Sequence, residues 1–372
     1  MFFTEKKFIN LFHKNDDIKT YFVKQPNKIT PLAIYVKNHN ISKNTIYELK
    51  SNIQMRDEYL TRFYETSLQL YPIEITEPPA PISRLNNNEF VKYKNLIRNL
   101  FLKEILQNTK SGLKNVPSYM DVLNDLYNKG IIDYKLLTPS ASFYIQNGRI
   151  GSVFSSFYFR ASIMNPYIVY SLNKGILKGM RIFTPTLGWG SYCYGFMECK
   201  EVIEYVGVDV IPNVCKKVVQ FGEQFYPERN IKTICTPSEQ LFYNPKFMKK
   251  YTNHFDTVFF SPPYYRLELY QGNHQSTNTY LTYGDWLEGY WKTTIELCFH
   301  VLEPNGKLCY IISNYGEQPN LMKDMNDITK NIGFIFKQKI KMANKAVTVN
   351  KQNDNTETIF IFTKPLHRKL LK

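Results

Sequence analysis

A short loop made of a serine, two prolines and a tyrosine is a segment of this chain whose residue types could do chemistry. It follows the most apolar predicted strand, residues 255–260, and consists of Ser261, Pro262, Pro263 and Tyr264. Two consecutive prolines end a strand and stiffen the loop, because each ring fixes its own φ angle and removes an N–H group. The loop therefore predicts rigid carbonyl acceptors at the carboxyl end of a buried strand, where open α/β sheets bind ligands.

A glycine turn and a later acidic residue form a second candidate site. Gly188 and Gly190 follow an apolar run and precede a helical pattern, so the backbone there can turn sharply and approach a ligand. Asp209 stands about twenty residues further on, where an acid typically binds the ribose hydroxyls of an adenosine-containing cofactor. The other interpretation of Asp209 is a helix cap before Pro212. We favour the cofactor because the turn and the acid occur together.

These residues lie in a region where strand and helix patterns alternate. The predicted strands are residues 181–187, 202–210, 232–235, 255–260, 306–313, 334–342 and 357–363, and the predicted helices between them are 191–200, 213–225, 283–302 and 321–332. Such alternation predicts βαβ units, and hence an α/β Rossmann-like fold with a mostly parallel sheet. The last two strands have no helix between them, so we expect them to pair antiparallel at one edge of the sheet, with an antiparallel edge strand.

In their order, these segments resemble the S-adenosylmethionine-dependent methyltransferases that act on exocyclic amino groups of nucleic-acid bases. That family carries a proline-rich glycine turn, an acid after the second strand, and [D/N/S]PP[Y/F/W] after the fourth. Here the turn spans residues 185–191 (PTLGWGS) and the loop is Ser261-Pro262-Pro263-Tyr264. Asn165-Pro166-Tyr167 resembles the family segment that packs over the methionine part of the cofactor. The resemblance covers roughly residues 150–365 and implies a methyltransferase fold with a seven-stranded sheet.

The resemblance also implies S-adenosylmethionine as the cofactor and a set of residues that hold it. The candidate cofactor-binding residues are Asn165, Pro166, Thr186, Gly188, Gly190, Asp209, Val210 and Ser238. Thr184 stands where many members have an aspartate before the proline. This departure keeps open the alternative of a nucleic-acid-binding subunit with a degenerate methyltransferase core.

The loop chemistry follows from the substrate. An amino group conjugated with a base ring is a poor nucleophile, and two acceptors around its hydrogens would draw it towards a tetrahedral nitrogen. The Ser261 side chain and the Pro262 carbonyl are the expected pair, and they would stabilise the developing positive charge. Tyr264 would stack on a base taken out of the helix. Serine in the first position favours cytosine N4 slightly over adenine N6, while RNA or protein-glutamine methylation remains an alternative.

The first 140 residues are expected to form a separate, mainly helical domain, with the methyltransferase domain spanning 141–372. Residues 90–107 and 119–129 have helical patterns, and residues 36–49 resemble the turn and second helix of a helix-turn-helix. Ser42 would cap that helix, Asn40 would take the left-handed turn position, and Ile46 and Leu49 would face inwards. The residues expected to face DNA are Lys43, Asn44 and Tyr47; a helix hairpin without DNA contacts is the other interpretation.

Charge points to the same kind of partner. The 372 residues contain 47 Lys and Arg against 32 Asp and Glu, a net charge of +15, which favours nucleic acid, DNA first. Codon bias in an AT-rich genome would give part of this excess. A basic flank is expected at the last strands and tail, from Lys337, Lys339, Lys341, Lys345, Lys351, Arg368, Lys369 and Lys372. The alternative for this flank is a solvated edge that blocks aggregation.

Cysteine and hydropathy patterns bound the location. The six cysteines form no CxxC pair and the histidines are scattered, so no metal site is expected, and reduced thiols are the simpler interpretation. There is neither a signal-peptide pattern nor an apolar run of the ~20 residues that a membrane span needs, so we expect a soluble intracellular protein, cytoplasmic or nuclear, without membrane partners.

The polar run 271–279 after the loop is either a mobile flap over the substrate or a plain surface loop.

Overall fold

The computed structural model describes residues 1–366 except 14, 16, 115, 148, 316–319 and 344–355. Its strands, in chain order, are β1 (Phe22–Gln25), β2 (Lys28–Pro31), β3 (Lys110–Ser111), β4 (Ile131–Asp133), β5 (Arg181–Thr184), β6 (Glu204–Asp209), β7 (Asn230–Cys235), β8 (Phe255–Phe260), β9 (Glu268–Leu269), β10 (Leu302–Ile312), β11 (Ile335–Lys341) and β12 (Thr358–Thr363).

The α-helices are α1 (Glu5–Ile9), α2 (Leu32–His39), α3 (Lys43–Gln54), α4 (Arg56–Ser67), α5 (Lys92–Leu100), α6 (Tyr119–Lys129), α7 (Pro139–Gln146), α8 (Ile150–Phe157), α9 (Pro166–Leu172), α10 (Ser191–Met197), α11 (Pro212–Phe225), α12 (Ser238–Leu241), α13 (Pro245–Lys250), α14 (Ser276–Thr279), α15 (Tyr283–Asp285), α16 (Thr293–Val301) and α17 (Leu321–Ile332). Shorter 3₁₀ turns lie at Ile82–Arg84, Tyr134–Leu137 and Gly188–Gly190, and π-helical segments at Lys103–Asn108, Asn173–Leu177 and Trp286–Lys292.

The chain packs as two units, which we call the N-terminal unit and the sheet unit. The N-terminal unit comprises residues Met1–Leu70, Arg98–Ser162 and Arg266–Tyr270, and the sheet unit comprises Tyr71–Ile97, Ile163–Tyr265 and Gln271–Lys372. This division does not coincide with the single boundary expected at residue 140. The proline-rich stretch after residue 70 packs in the sheet unit, where Tyr167 donates a hydrogen bond to the carbonyl of Pro78 at 2.6 Å. Residues 141–162 pack in the N-terminal unit, where α7 lies against α3.

The N-terminal unit is built around buried aromatic rings. The Phe8 ring stacks on Phe63 at 5.2 Å, Phe63 lies 5.3 Å from Tyr119, and Tyr119 lies 5.1 Å from Phe154. Helices supply most of this unit, as the periodicity predicts. It also contains a small sheet of order β2-β1-β4 that the helical pattern did not predict, because its strands are only three or four residues long.

The sheet unit holds a seven-stranded sheet, counted over the described residues, in the order β11-β12-β10-β8-β5-β6-β7. β5, β6, β7, β8 and β10 run parallel to their neighbours in that run, as predicted. The fold class expected from the sequence is thereby confirmed. Apolar residues on both faces of β8 and β10 are buried, which is typical of a parallel sheet covered by helices.

The last two strands pair antiparallel at one edge of the sheet, as expected, but the antiparallel strand is not itself the edge strand. β12 runs antiparallel to both β10 and β11 and lies between them, so the antiparallel strand is second from the edge. β11 forms the edge itself, and five of its seven side chains in a row are exposed, whereas β12 is buried along most of its length. The more apolar strand, β12, lies inside the sheet, where it has a neighbouring strand on each side, whereas β11 has a neighbour on one side only. Within the described residues, no helix is both long and apolar enough to cross a bilayer.

Candidate active site

The glycine turn and the proline loop lie side by side because of the strand order. β5 lies between β6 and β8 and is parallel to both, so the order in which the chain adds strands to the sheet reverses at the β5–β8 boundary. A crevice opens at such a reversal, beyond the carboxyl ends of the strands. Thr186 in the turn donates a hydrogen bond to the carbonyl of Ser261 at 3.3 Å. The two motifs that lie 75 residues apart in sequence are therefore joined directly.

The turn depends on glycine at a defined position. Gly188, Trp189 and Gly190 have φ angles of 52°, 59° and 75°, which are left-handed values that favour glycine. A Cβ atom on Gly188 would lie 2.2 Å from the ring of Tyr192. Tyr192 in turn accepts a hydrogen bond from the N–H of Ser261 at 3.0 Å. Gly188 therefore leaves space for the tyrosine that fixes the proline loop.

Asp209 ends β6 and faces the same turn. Its Oδ2 accepts a hydrogen bond from the N–H of Leu187 at 3.3 Å, and its Oδ1 accepts one from Ile211 at 3.0 Å. Burial raises the pKa of Asp209 to about 6, against the lowering effect of backbone hydrogen bonds from Ile211, Leu187 and Val210. The residue as a whole is half-buried. The carboxylate is ionised at neutral pH and is available as an acceptor for hydroxyl groups.

Thr184, which departs from the family pattern, has a partner within the sheet. It is fully buried at the end of β5, and its hydroxyl lies 2.7 Å from the hydroxyl of Tyr205 on β6. An aspartate there would bury a charge beside a tyrosine. The neutral threonine suits this position, and the acidic residue in contact with the turn is Asp209.

Ser261 and Tyr264 are both tied to β10. The Ser261 hydroxyl donates a hydrogen bond to the carbonyl of Ile311 at 2.9 Å. The Tyr264 hydroxyl accepts one from the N–H of Ser313 at 2.8 Å, and its ring lies nearly parallel to Tyr315, with centroids 6.0 Å apart. Ser261 uses its only proton towards the strand, so the lone pairs of its oxygen remain as acceptors. Pro262 is buried and Pro263 is half-buried between them.

The remaining candidate cofactor residues have structural contacts of their own. Asn165 caps α9 by accepting a hydrogen bond from Tyr167 at 3.1 Å, and its amide donates to the carbonyl of Glu89. Pro166 begins α9, which crosses α10 closely, since a Cβ atom on Gly195 would lie 2.5 Å from the Pro166 carbonyl oxygen. Ser238 is buried, and its hydroxyl lies 3.4 Å from that of Thr294. Val210 is half-buried beside Asp209.

The groups around the turn fit an adenosine-containing cofactor. Ser191, directly after the turn, is fully buried, and its hydroxyl has no hydrogen-bond partner among the described residues. An unpartnered buried hydroxyl costs free energy unless a ligand or water satisfies it. Together with the Asp209 carboxylate and the glycine cradle, it matches a ligand that carries hydroxyl groups. Over the same described part of the chain, no group of three or more metal-binding side chains comes together.

The candidate DNA residues lie in the N-terminal unit. Ser42 caps α3 by accepting a hydrogen bond from Thr45 at 3.0 Å, and Asn40 takes the left-handed conformation with φ 51°, so both of these predictions are confirmed. Leu49 is buried and Ile46 is half-buried. The three candidate residues Lys43, Asn44 and Tyr47 are all exposed on α3.

The predicted basic flank is described only in part. Lys337, Lys339 and Lys341 are exposed along the edge strand β11. The other members, Lys345, Lys351, Arg368, Lys369 and Lys372, lie outside the described residues. The polar run after the proline loop contains α14, and Gln275, Ser276 and Thr277 within it are buried, so part of this run packs against the sheet unit.

Sequence reasoning missed Tyr192 as a residue of the site. Its position two residues after Gly190 carries no motif, and its packing under Gly188 depends on the three-dimensional turn. It also missed Ile311 and Ser313, which act through the backbone groups at the end of β10. Backbone carbonyl and N–H groups occur in nearly every residue type, so the part they play cannot be recognised from the sequence.

The mostly parallel sheet, with one antiparallel strand second from the edge and helices between the strands, defines a Rossmann-like α/β fold. No family model matches the chain, and no curated protein is similar to it in sequence. Among solved structures, it is similar to a methyltransferase from Pyrococcus furiosus (17% identity, 54% of this chain and 84% of that chain covered, TM-score 0.36). It is also similar to the N-methyltransferase NodS from Bradyrhizobium japonicum WM9 in complex with S-adenosyl-L-homocysteine (12% identity, 53% and 82%, TM-score 0.34).

A further similarity is to TrmN from Thermus thermophilus, at 12% identity over 54% of this chain and 49% of that chain, with a TM-score of 0.35. The strand order and register of the sheet define the fold class.

Proposed function

We propose that this protein transfers a methyl group from S-adenosylmethionine to an exocyclic amino group of a DNA base, with cytosine N4 favoured over adenine N6. The observation that carries the proposal is the hydrogen bond from the Ser261 hydroxyl to the Ile311 carbonyl, 2.9 Å long. It commits the serine proton to the protein and leaves the oxygen as an acceptor at the carboxyl end of β8. An amino group donates two hydrogens, so an acceptor-only surface suits it.

The chain's own residues would act by position and polarity. The cofactor supplies an electrophilic methyl group carried on a sulfonium. The Ser261 oxygen and the Pro262 carbonyl would accept the two amino hydrogens and hold the nitrogen in the orientation that exposes its lone pair. Tyr192 and Thr186 would keep this loop in register with the glycine turn, since both bond to the backbone of Ser261. Tyr264 would support the ring of the base by stacking.

The choice of DNA as substrate is supported by charge and surface. The chain carries +15, and α3 exposes Lys43, Asn44 and Tyr47, a combination of a cation, an amide and an aromatic ring that suits phosphate and base contacts. The exposed lysines of β11 add positive charge in the sheet unit. A protein-glutamine substrate would gain less from this charge.

The test is to express the chain in a host that lacks base methylation and to identify modified nucleosides by mass. The account predicts N4-methylcytosine in the host DNA, and none in a host that expresses the Ser261→Ala variant. Detection of N6-methyladenine would support the proposed reaction but would show that the target base is adenine rather than cytosine. Methylation confined to RNA or to protein would contradict the DNA proposal. A wild-type protein that binds no S-adenosylmethionine would favour the degenerate subunit instead.

A further inference from the structure

Two cysteines lie next to Asp209, the residue proposed to hold the ribose of the cofactor. Cys235 ends β7, and the register of the sheet pairs it with Asp209 at the end of β6. Cys215 lies in the first turn of α11, and its thiol donates to the carbonyl oxygen of Asp209, 3.6 Å away. Both cysteines are therefore neighbours of one residue of the candidate cofactor site.

The side-chain alternation of β7 places Cys235 on the face that α11 covers. Ile231 points towards α11, since a Cβ atom on Gly222 would lie 2.7 Å from its side chain. Thr233 points the same way, because its hydroxyl donates a hydrogen bond to the carbonyl of Cys215 at 3.2 Å. Side chains two residues apart along a strand share a face. Cys235 therefore lies on the side of β7 that carries Cys215.

The Cys215 sulfur lies beside the backbone on both sides of Cys235. It is 4.0 Å from the carbonyl oxygen of Ile234, the residue before Cys235. It also shares an acceptor with the residue after Cys235, because the Asp209 carbonyl accepts a hydrogen bond from the N–H of Thr236 at 3.0 Å. The two thiols are thus brought together by β6, β7 and α11, all within the sheet unit.

The two thiols differ in accessibility. Cys235 is exposed, whereas Cys215 is 5% exposed, and the other four cysteines, all in the described part of the chain, are buried. Burial is the main cause that raises the pKa of the Cys215 thiol, and Asp209 and Cys235 raise it further. Cys215 therefore remains a protonated donor to the Asp209 carbonyl, and Cys235 is the thiol that a reagent in solution reaches first.

We propose that Cys215 and Cys235 form a reversible disulfide that lowers the affinity for the cofactor. The oxidant is a small-molecule disulfide of the glutathione type. The thiolate of Cys235 attacks one of its sulfurs, the S–S bond breaks, and one half leaves as a thiol. The Cys215 thiol then loses its proton and attacks the Cys235 sulfur, which releases the second half. The two protein thiols lose two electrons, and the small disulfide is reduced to two thiols that take up the two protons.

The effect on the cofactor follows from the contacts that the disulfide changes. It removes the hydrogen that Cys215 donates to the Asp209 carbonyl, and it draws the start of α11 towards the end of β7. Ile211, directly before α11, donates its N–H to the Asp209 carboxylate at 3.0 Å, so a shift of the helix turns that carboxylate. This part of the inference rests on the proposed function, since it takes Asp209 as the ligand of the cofactor ribose.

The first readout is peptide mapping by mass, after the full chain is treated with oxidised or reduced glutathione and alkylated. The oxidised protein should contain a link between Cys215 and Cys235. Cys215→Ala should stop at a mixed disulfide of glutathione with Cys235, and Cys235→Ser should form neither product. Cys298→Ala, which removes a buried thiol in α16, is the matched control and should form the link as the wild-type protein does.

Calorimetry with S-adenosylhomocysteine gives the second readout. The oxidised protein should bind it about tenfold more weakly than the reduced protein, an effect of the size of one hydrogen bond to a charged group. Oxidation should not change the affinity of Cys235→Ser, whose affinity should equal that of the reduced wild-type protein. By linkage, saturating ligand should shift the equilibrium between dithiol and disulfide towards the dithiol by the same factor.

Three results would overturn the inference. They are a folded protein in which glutathione leaves the two thiols unlinked, a link that leaves the affinity unchanged, and an equal loss of affinity in Cys235→Ser after the same treatment. A reduced wild-type protein that binds no S-adenosylhomocysteine would overturn the proposed function and the effect on the cofactor with it. The disulfide itself is decided by mass alone, so the two failures are distinguishable.

Discussion

The Asp209 carboxylate accepts a hydrogen bond from the backbone N–H of Leu187 at 3.3 Å, so the acid at the end of β6 holds the glycine turn that follows β5. The two segments belong to adjacent parallel strands, and their register pairs Thr184 with Gly207 just before the contact. This hydrogen bond therefore connects the acid directly to the turn. A change at Asp209 should affect both the shape of the turn and the acceptor offered to a ligand.

The first prediction concerns cofactor affinity. Asp209→Ala should weaken S-adenosylmethionine binding by the ~1.5–3 kcal/mol typical of a hydrogen bond to a charged group. Calorimetry on the folded variant measures this, with circular dichroism to establish that the fold is kept. An unchanged affinity would show that Asp209 acts only on the protein's own backbone, at Leu187 and Ile211.

The second prediction concerns pH. Burial raises the pKa of Asp209 to about 6, so cofactor affinity should fall as the pH drops from 7 to 5 and the carboxyl is protonated. The contribution of the same group to folding has the opposite sign. The pKa of Asp209 in the folded protein lies above its usual value of 3.8, so its contribution to the free energy of unfolding of the free protein is largest below that value and is lost as the pH rises to about 6. Asp209→Ala should flatten the affinity profile over this range, and a variant with the wild-type profile would contradict the assignment.

Much of the sheet unit could be predicted from the sequence. β8 and α17 have the predicted bounds, because β8 is a largely apolar run and α17 has a regular amphipathic pattern. Strands β1 and β4 could not be predicted, since three or four residues carry too short a pattern. The position of β12 between β10 and β11 is set by burial across the finished sheet rather than by chain order.

The candidate site could be predicted where side chains carry the chemistry, as at Ser261 and Asp209. It could not be predicted where the chain uses backbone groups, as at Ile311, or where a ring fills space under a glycine, as Tyr192 does. The domain boundary expected at residue 140 also depends on contacts that the sequence does not show. Contacts distant in sequence assign residues 71–97 to the sheet unit, so a truncation at 140 would remove a part of that unit.

The third prediction concerns nucleic-acid binding. Lys43→Gln should weaken DNA binding for all sequences alike, and it should reduce the slope of log affinity against log salt by about one, because one phosphate contact is lost. Lys6→Gln is the matched control, since Lys6 is an exposed lysine of the same unit on another helix. Fluorescence anisotropy over a series of salt concentrations measures both. Equal slopes for the two variants and the wild-type protein would show that α3 is not part of the nucleic-acid-binding surface.

The fourth prediction concerns the base. Tyr264→Ala should remove stacking worth about 1–3 kcal/mol and lower turnover, with the cofactor affinity unchanged. Tyr264→Phe keeps the ring and removes the hydroxyl that contacts Ser313, so it should retain most of the turnover. Steady-state methylation of an oligonucleotide separates the two variants. A phenylalanine variant as poor as the alanine variant would mean that Tyr264 acts through the loop rather than by stacking.

The rate of a single turnover in Ser261→Ala tests the central claim most directly. Labelled S-adenosylmethionine is mixed with excess enzyme and DNA, and the methyl label that reaches the DNA is followed in time. The account predicts a rate about a hundredfold or more below the wild-type rate, with fold and cofactor affinity retained, because one transition-state acceptor is missing. Ser261→Asn, which restores a side-chain oxygen acceptor, should recover a part of this loss. A rate near that of the wild-type protein in Ser261→Ala would show that the chemistry does not take place at this loop.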